Sequence, residues 1–129
     1  MSGRPPSEDL RVDAKALESR GYRLKLFAED GFDDVQIFGY PIPTGYSKSA
    51  SDLLLRLPPS YRAGRPDMFW TEIDLVLANG QVPAQAEVVE TIEGIQWRRF
   101  SWHPAKWDPA ADNLLTFLEF VDTRLAKRR

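Results

Sequence analysis

The apolar residues of this chain change period at Gly21, and that change commits it to a fold that mixes helix with sheet. Before the change, Leu10, Ala14 and Leu17 recur at helical spacing behind Ser7-Glu8-Asp9, a capping serine followed by acids. This predicts a helix over about residues 7–20. From Tyr22 the period is two, with Tyr22, Leu24, Leu26 and Ala28 on one side and Arg23, Lys25, Phe27 and Glu29 on the other. Asp30-Gly31 ends that strand with a turn signal, and a second strand is predicted over 35–40.

Residues 41–50 are rich in turn formers and read as a loop before a third strand, 52–57. A proline-rich break follows at 58–66. The fourth predicted strand, 68–77, alternates through Phe69, Thr71, Ile73, Leu75 and Leu77 and stops at Ala78-Asn79-Gly80. The first eighty residues thus predict one helix and a four-stranded antiparallel meander. Residues 81–94 read as a long loop holding a short extra strand, and 96–102 as an extended segment leading to His103-Pro104. Asp108 and Pro109 suit a helix start, and Leu114, Leu118, Val121 and Leu125 form an apolar stripe with Phe117 beside it. The last helix is therefore expected over about 109–127.

A chain of 129 residues matches the commonest domain size, and 43% hydrophobic residues suffice for a core, so a single domain is expected. Seventeen basic residues are mostly interleaved with nineteen acids, for a formal charge of −2. Phosphate neutralisation needs a clustered basic face, so no nucleic-acid partner is expected. Lys127-Arg128-Arg129 suits the C-terminal end of a helix dipole. No apolar run approaches the ~20 residues of a membrane span, and Met1-Ser2-Gly3-Arg4-Pro5-Pro6 has no apolar core of a signal peptide. A cytoplasmic protein without a membrane partner is the expectation. There is no cysteine and His103 is the sole histidine, so disulfides, thiolate chemistry and multi-histidine metal sites are excluded. No cofactor is expected.

Three motifs carry a resemblance. They are Leu57-Pro58-Pro59-Ser60-Tyr61 through Pro66-Asp67-Met68-Phe69, then Gln96-Trp97-Arg98-Arg99-Phe100-Ser101-Trp102-His103-Pro104 with Trp107, then Asp112-Asn113-Leu114. With the order of helix, meander, irregular segment and helix, they resemble a bacterial branch of the ubiquitin-conjugating E2 superfamily, prokaryotic E2 family E, over about residues 22–126. The resemblance implies an α+β, E2-like (UBC) fold. It also implies a conjugation role beside an E1-like activating enzyme and a ubiquitin-like protein. The chain departs from the eukaryotic pattern in having neither the His-Pro-Asn motif nor the nucleophilic cysteine. Ala78-Asn79-Gly80-Gln81 stands after the fourth strand instead, where Asn79 reads as an oxyanion donor or simply as a turn residue.

In an E2 the nucleophile lies in the extended segment between sheet and following helix, where Ser101 stands here. Ser101 and His103 are two apart, so on extended backbone they leave the same face with Cα atoms roughly 6.5 to 7 Å apart. A serine needs a base to become a useful nucleophile, and imidazole is the side chain suited to that near neutral pH. Asp108 or Asp112, brought back by the turn at Pro104, would orient the imidazole. Arg98 and Arg99 read as added charge at the site or as a solvated face. Glu87, Glu90 and Glu93, three apart, read as one exposed acidic face.

These residues leave two functions open. In the first, Ser101 accepts the C-terminus of a ubiquitin-like protein from an E1-like enzyme as an oxyester. In the second, the chain is a noncatalytic E2 variant, similar to an RWD domain, that recruits such a protein or its partner. A small serine esterase is disfavoured by the absence of a nucleophile-elbow glycine motif.

Overall fold

The computed structural model describes residues 6–129, so the signal-peptide reading of the first residues falls largely outside it. Helix α1 (Glu8–Ser19) starts where its capping serine stands: Ser7 Oγ accepts from the Leu10 amide at 3.1 Å. Glu8 and Asp9 occupy the first turn, where the helix dipole favours negative charge. Leu10, Ala14 and Leu17 are its buried apolar residues, as the spacing predicts.

Strand β1 (Arg23–Glu29) returns into β2 (Phe32–Pro41) through Asp30 and Gly31, with φ of 54° and 82°. Two consecutive positive φ values make the turn whose twist matches that of paired strands. β2 pairs antiparallel with β3 (Ala50–Leu57), Val35 opposite Leu55. The register shifts between Ile37 and Tyr40, where Gly39 takes φ of 62° and its amide donates to Asp52 Oδ1 at 2.9 Å.

The fourth strand, β4 (Phe69–Glu72), stops well short of the predicted residue 77. Past Glu72 the chain turns: the Leu75 amide donates to the Glu72 carbonyl, and Arg98 holds the Ile73 carbonyl through Nε at 3.1 Å and Nη2 at 2.7 Å. Leu75 is thereby buried in the core while Ile73 stays exposed. The alternating apolar residues describe a turn that feeds the core, a pattern indistinguishable from a strand by period alone.

The sheet has six strands rather than the four expected. β5 (Val89–Ile92), the short extra strand read in 81–94, forms a hairpin with β6 (Ile95–Phe100) across Glu93 and Gly94, φ 52° and 76°. β6 pairs antiparallel with β4, Phe69 opposite Phe100, so the order is β1-β2-β3-β4-β6-β5. The sheet therefore continues through the segment expected to be irregular, but the meander ends at β4, because β6 rather than β5 lies beside it.

Helix α2 (Leu114–Ala126) begins five residues after the predicted start. Its cap is Asn113, not Asp108: Asn113 Oδ1 accepts from the Thr116 amide and Thr116 Oγ1 accepts from the Asn113 amide, a reciprocal capping box. Leu114, Phe117, Leu118, Val121 and Leu125 are all buried, the predicted stripe.

Strand alternation divides the core. Val35, Ile37, Leu53, Leu55, Leu57, Phe69 and Phe100 pack with the apolar faces of both helices. A separate cluster, Leu54, Trp70, Ile92 and Trp97, with Phe27 and Met68 against it, occupies the alternate strand positions. The buried carboxylate of Asp13 joins three elements: it accepts from Tyr61 Oη at 2.5 Å, Arg62 Nη2 at 2.6 Å and the Leu114 amide at 3.3 Å. No helix among the described residues is long and apolar enough to cross a membrane.

Candidate functional site

β6 and the segment that follows it carry the candidate residues. Arg99, opposite Trp70 in the β4–β6 register, belongs to the same alternate set of strand positions as Trp97. Two residues on, half-buried Ser101 accepts a hydrogen bond at Oγ from Arg99 Nε at 3.0 Å. The Ser101 amide donates to the Gln85 carbonyl at 2.9 Å, which fixes the backbone under the hydroxyl.

His103 Nδ1 lies 2.5 Å from Asp67 Oδ1, and both side chains are about half exposed. A carboxylate only accepts, so Nδ1 carries the proton in this pair and the neutral ring leaves Nε2 as the acceptor. Asp67 is supplied by the proline-rich connection between β3 and β4. That connection is tied to the far side of the site by Arg65 Nη1, which donates to the Pro104 carbonyl at 3.2 Å.

The carboxylate that meets the imidazole is Asp67, rather than Asp108 or Asp112. Both of those carboxylates cap local amides: Asp112 Oδ2 accepts from the Asp108 amide at 2.7 Å, and Asp108 Oδ1 from the Ala110 amide at 3.0 Å. They build the turn before α2, and the late start of that helix is what leaves them there. Asp67 stands within the Pro66-Asp67-Met68-Phe69 motif, but nothing local says that a residue 36 positions away will meet the imidazole. Among the described residues, Ser101 and His103 hydrogen-bond to different groups and not to each other.

Asn79 takes the turn role: its Oδ1 accepts from the Gln81 amide at 2.9 Å. Glu87, Glu90 and Glu93 do not form one exposed acidic face. Glu93 sits in the hairpin turn near Lys25, 3.6 Å away, whereas half-buried Glu90 accepts from Trp70 Nε1 at 2.7 Å and from Arg99 Nη1 at 3.5 Å.

Behind the site lie two buried arginines with carbonyl partners. Arg98 Nη1 donates to the Ala86 carbonyl at 2.7 Å, and Arg124 Nη2 donates to the carbonyls of Ala84 at 2.8 Å and Arg129 at 2.7 Å. Arg124 lies over the Trp102 ring, 4.2 Å from its centroid, and Trp102 Nε1 donates to the same Ala84 carbonyl. Burial holds the Arg124 guanidinium below its ordinary pKa. The carbonyls of Ala84, Gln85 and Ala86 are in this way all bound to β6, its continuation or α2, so the segment bearing Ser101 rests on a fixed backbone.

The described residues contain no group of three or more acids or histidines able to hold a metal ion. What the arrangement offers is a hydroxyl beside a guanidinium, with an imidazole–carboxylate pair two residues further on.

The chain matches the family model of prokaryotic E2 family E over residues 10–128. No curated protein and no solved structure matches it. The match covers α1 from Leu10 onward, all six strands and the whole of α2, carries the motifs around Ser101 and His103, and includes no cysteine: the chain belongs to prokaryotic E2 family E.

Proposed function

We propose that this protein is the E2-like component of a bacterial ubiquitin-like conjugation pathway, and that Ser101 accepts the C-terminal acyl group of a ubiquitin-like protein from an E1-like enzyme. The observation that carries the reading is the hydrogen bond from Arg99 Nε to Ser101 Oγ at 3.0 Å, with the His103–Asp67 pair two residues on. Family membership and the α+β architecture support it.

In the step proposed, Ser101 Oγ attacks the carbonyl carbon of a thioester on the E1-like partner. The O–C bond forms, the C–S bond breaks, and the sulfur leaves with the proton that His103 Nε2 takes from the serine. Asp67 keeps the imidazole in the tautomer that can accept. Arg99 stabilises the negative charge that develops on the serine oxygen as its proton departs. An oxyester is less activated towards amines than a thioester, so onward transfer relies on positioning.

The test is to incubate the protein with its E1-like enzyme, the ubiquitin-like protein and ATP and to read intact mass. A hydroxide-labile, thiol-resistant adduct that disappears in Ser101→Ala is expected; no adduct on the wild type, or one that persists in Ser101→Ala, sinks the reading. A second reading, a noncatalytic variant that recruits the ubiquitin-like protein or the E1-like partner, is favoured by the absence of a direct Ser101–His103 hydrogen bond. Binding without adduct would establish it.

A further inference from the structure

Arg99 reaches Ser101 only in one of many conformations open to a long, partly exposed side chain, and holding it there costs rotamer entropy. Three strands supply the restraint. Trp70 on β4, 5% exposed, donates its indole N–H to Glu90 Oε1 at 2.7 Å. Glu90 on β5 receives Arg99 Nη1 from β6 on its other oxygen, Oε2, at 3.5 Å. Arg99 then presents Nε to Ser101 Oγ. An indole nitrogen only donates, and its ring is packed with Leu54, Ile92 and Trp97, so the direction of the Glu90 carboxylate is set by the core.

The consequence follows from the shape of a guanidinium. Its donors lie in one rigid plane, so a carboxylate that fixes Nη1 also fixes where Nε points. Without Glu90 the guanidinium is free to turn into solvent, and the charge opposite the serine oxygen is no longer preorganised.

We propose that Glu90, held by Trp70, is a positioning residue that sets the Arg99 guanidinium on Ser101. The proposal rests on the reading of Ser101 as the acyl acceptor. Arg99 touches the reacting atom; Glu90 and Trp70 act through it. Glu90 thereby has a role inside the sheet that its spacing with Glu87 and Glu93 conceals.

Two independent measurements test this on the full chain. In the first, ¹⁵N–¹H spectra follow the Arg99 Nε–H, assigned by its loss in Arg99→Lys. A shifted resonance and solvent exchange faster by about tenfold are expected in Glu90→Gln, and a smaller change in Trp70→Phe, which deletes only the indole donor. In the second, the single-turnover rate of Ser101 acylation by the charged E1-like partner is followed. A fall of about tenfold at saturation in Glu90→Gln, with the half-saturating concentration unchanged, is expected, and Glu90→Asp should recover part of the rate. An Arg99 resonance and exchange rate identical to wild type in Glu90→Gln overturns the positioning claim. A changed Arg99 signal with an unchanged rate overturns its catalytic consequence alone. Failure of the wild type to form any Ser101 adduct overturns the parent reading and that consequence, while the spectra still decide whether Glu90 sets Arg99. Circular dichroism of each variant separates these outcomes from unfolding.

Discussion

His103 Nδ1 and Asp67 Oδ1 meet at 2.5 Å although 36 residues separate them in the chain. The pair joins the connection before β4 to the segment after β6, two stretches that become neighbours because β4 and β6 are paired strands. Asp67→Ala is expected to slow Ser101 acylation by roughly a hundredfold, because a carboxylate that fixes the imidazole tautomer is worth a large rate factor. Asp108→Ala and Asp112→Ala should leave that rate within about threefold and instead cost about 1 kcal/mol of stability as lost caps. Rates and urea melts on the three variants separate the two kinds of carboxylate.

Ser101→Cys should convert the adduct from hydroxide-labile and thiol-resistant to thiol-labile. The same acyl group would then be carried on sulfur, a better leaving group. Intact mass before and after dithiothreitol reads the change, and an adduct whose lability does not change places the acyl group elsewhere.

Asp13 predicts the largest stability loss. Its carboxylate holds Tyr61 Oη, the Arg62 guanidinium and the Leu114 amide, so Asp13→Ala strands three donors at once. A loss of about 3 kcal/mol is expected by urea denaturation. Trp107, whose indole donates to the Arg62 carbonyl at 2.8 Å, should report the same transition by fluorescence.

Asp34 should shape stability against pH. Burial pushes its carboxyl up from 3.8 to about 6 in spite of the hydrogen bond and charge of Arg56, 3.0 Å away. The folded state therefore binds this proton more tightly than the unfolded chain does. Its contribution is fully present below about pH 4 and is lost as pH rises through about 6. At most about 3 kcal/mol is involved, from a shift of roughly two pH units. Asp34→Asn should flatten the fall in stability between pH 4 and 6, measured by urea midpoints at each pH, and an unchanged slope would refute the assignment.

Arg124 predicts the opposite of Asp13. It is buried, yet its Nε and Nη1 have no hydrogen-bond partner and its other contacts are to carbonyls and aromatic rings. Desolvating a cation that leaves two of its nitrogens without a hydrogen-bond partner is unfavourable, so Arg124→Met should change stability by less than about 1 kcal/mol. It should also alter Trp102 emission by removing the cation from its ring. A loss as large as that of Asp13→Ala would show that the carbonyl contacts carry the fold there.

Much of the architecture was legible in the chain itself, because the signals concerned are local. Helical spacing before Gly21 and the apolar stripe of α2 each report which side of a short segment must be buried, and the Asp30-Gly31 turn marks where β1 reverses. The alternation from Tyr22 marks a strand but not a buried face, since Leu26 is exposed and Phe27 on the other side packs on a core cluster. The Ser7 cap and the motif around Ser101 are local as well, as was the consequence of having no cysteine: any acyl carrier here must be an oxygen or nitrogen. What the tertiary structure decided were the features set by partners distant in sequence. β4 ends at Glu72 because Arg98, 25 residues on, takes the Ile73 carbonyl, and the amide of Leu114, where α2 starts, is held by Asp13, 101 residues before it. The same cause hid the surroundings of Ser101. Asp67 reaches His103, and Glu90 reaches Arg99, only once β4, β6 and β5 lie side by side. Periodicity fixes which face a residue occupies but not which strand will lie next to it.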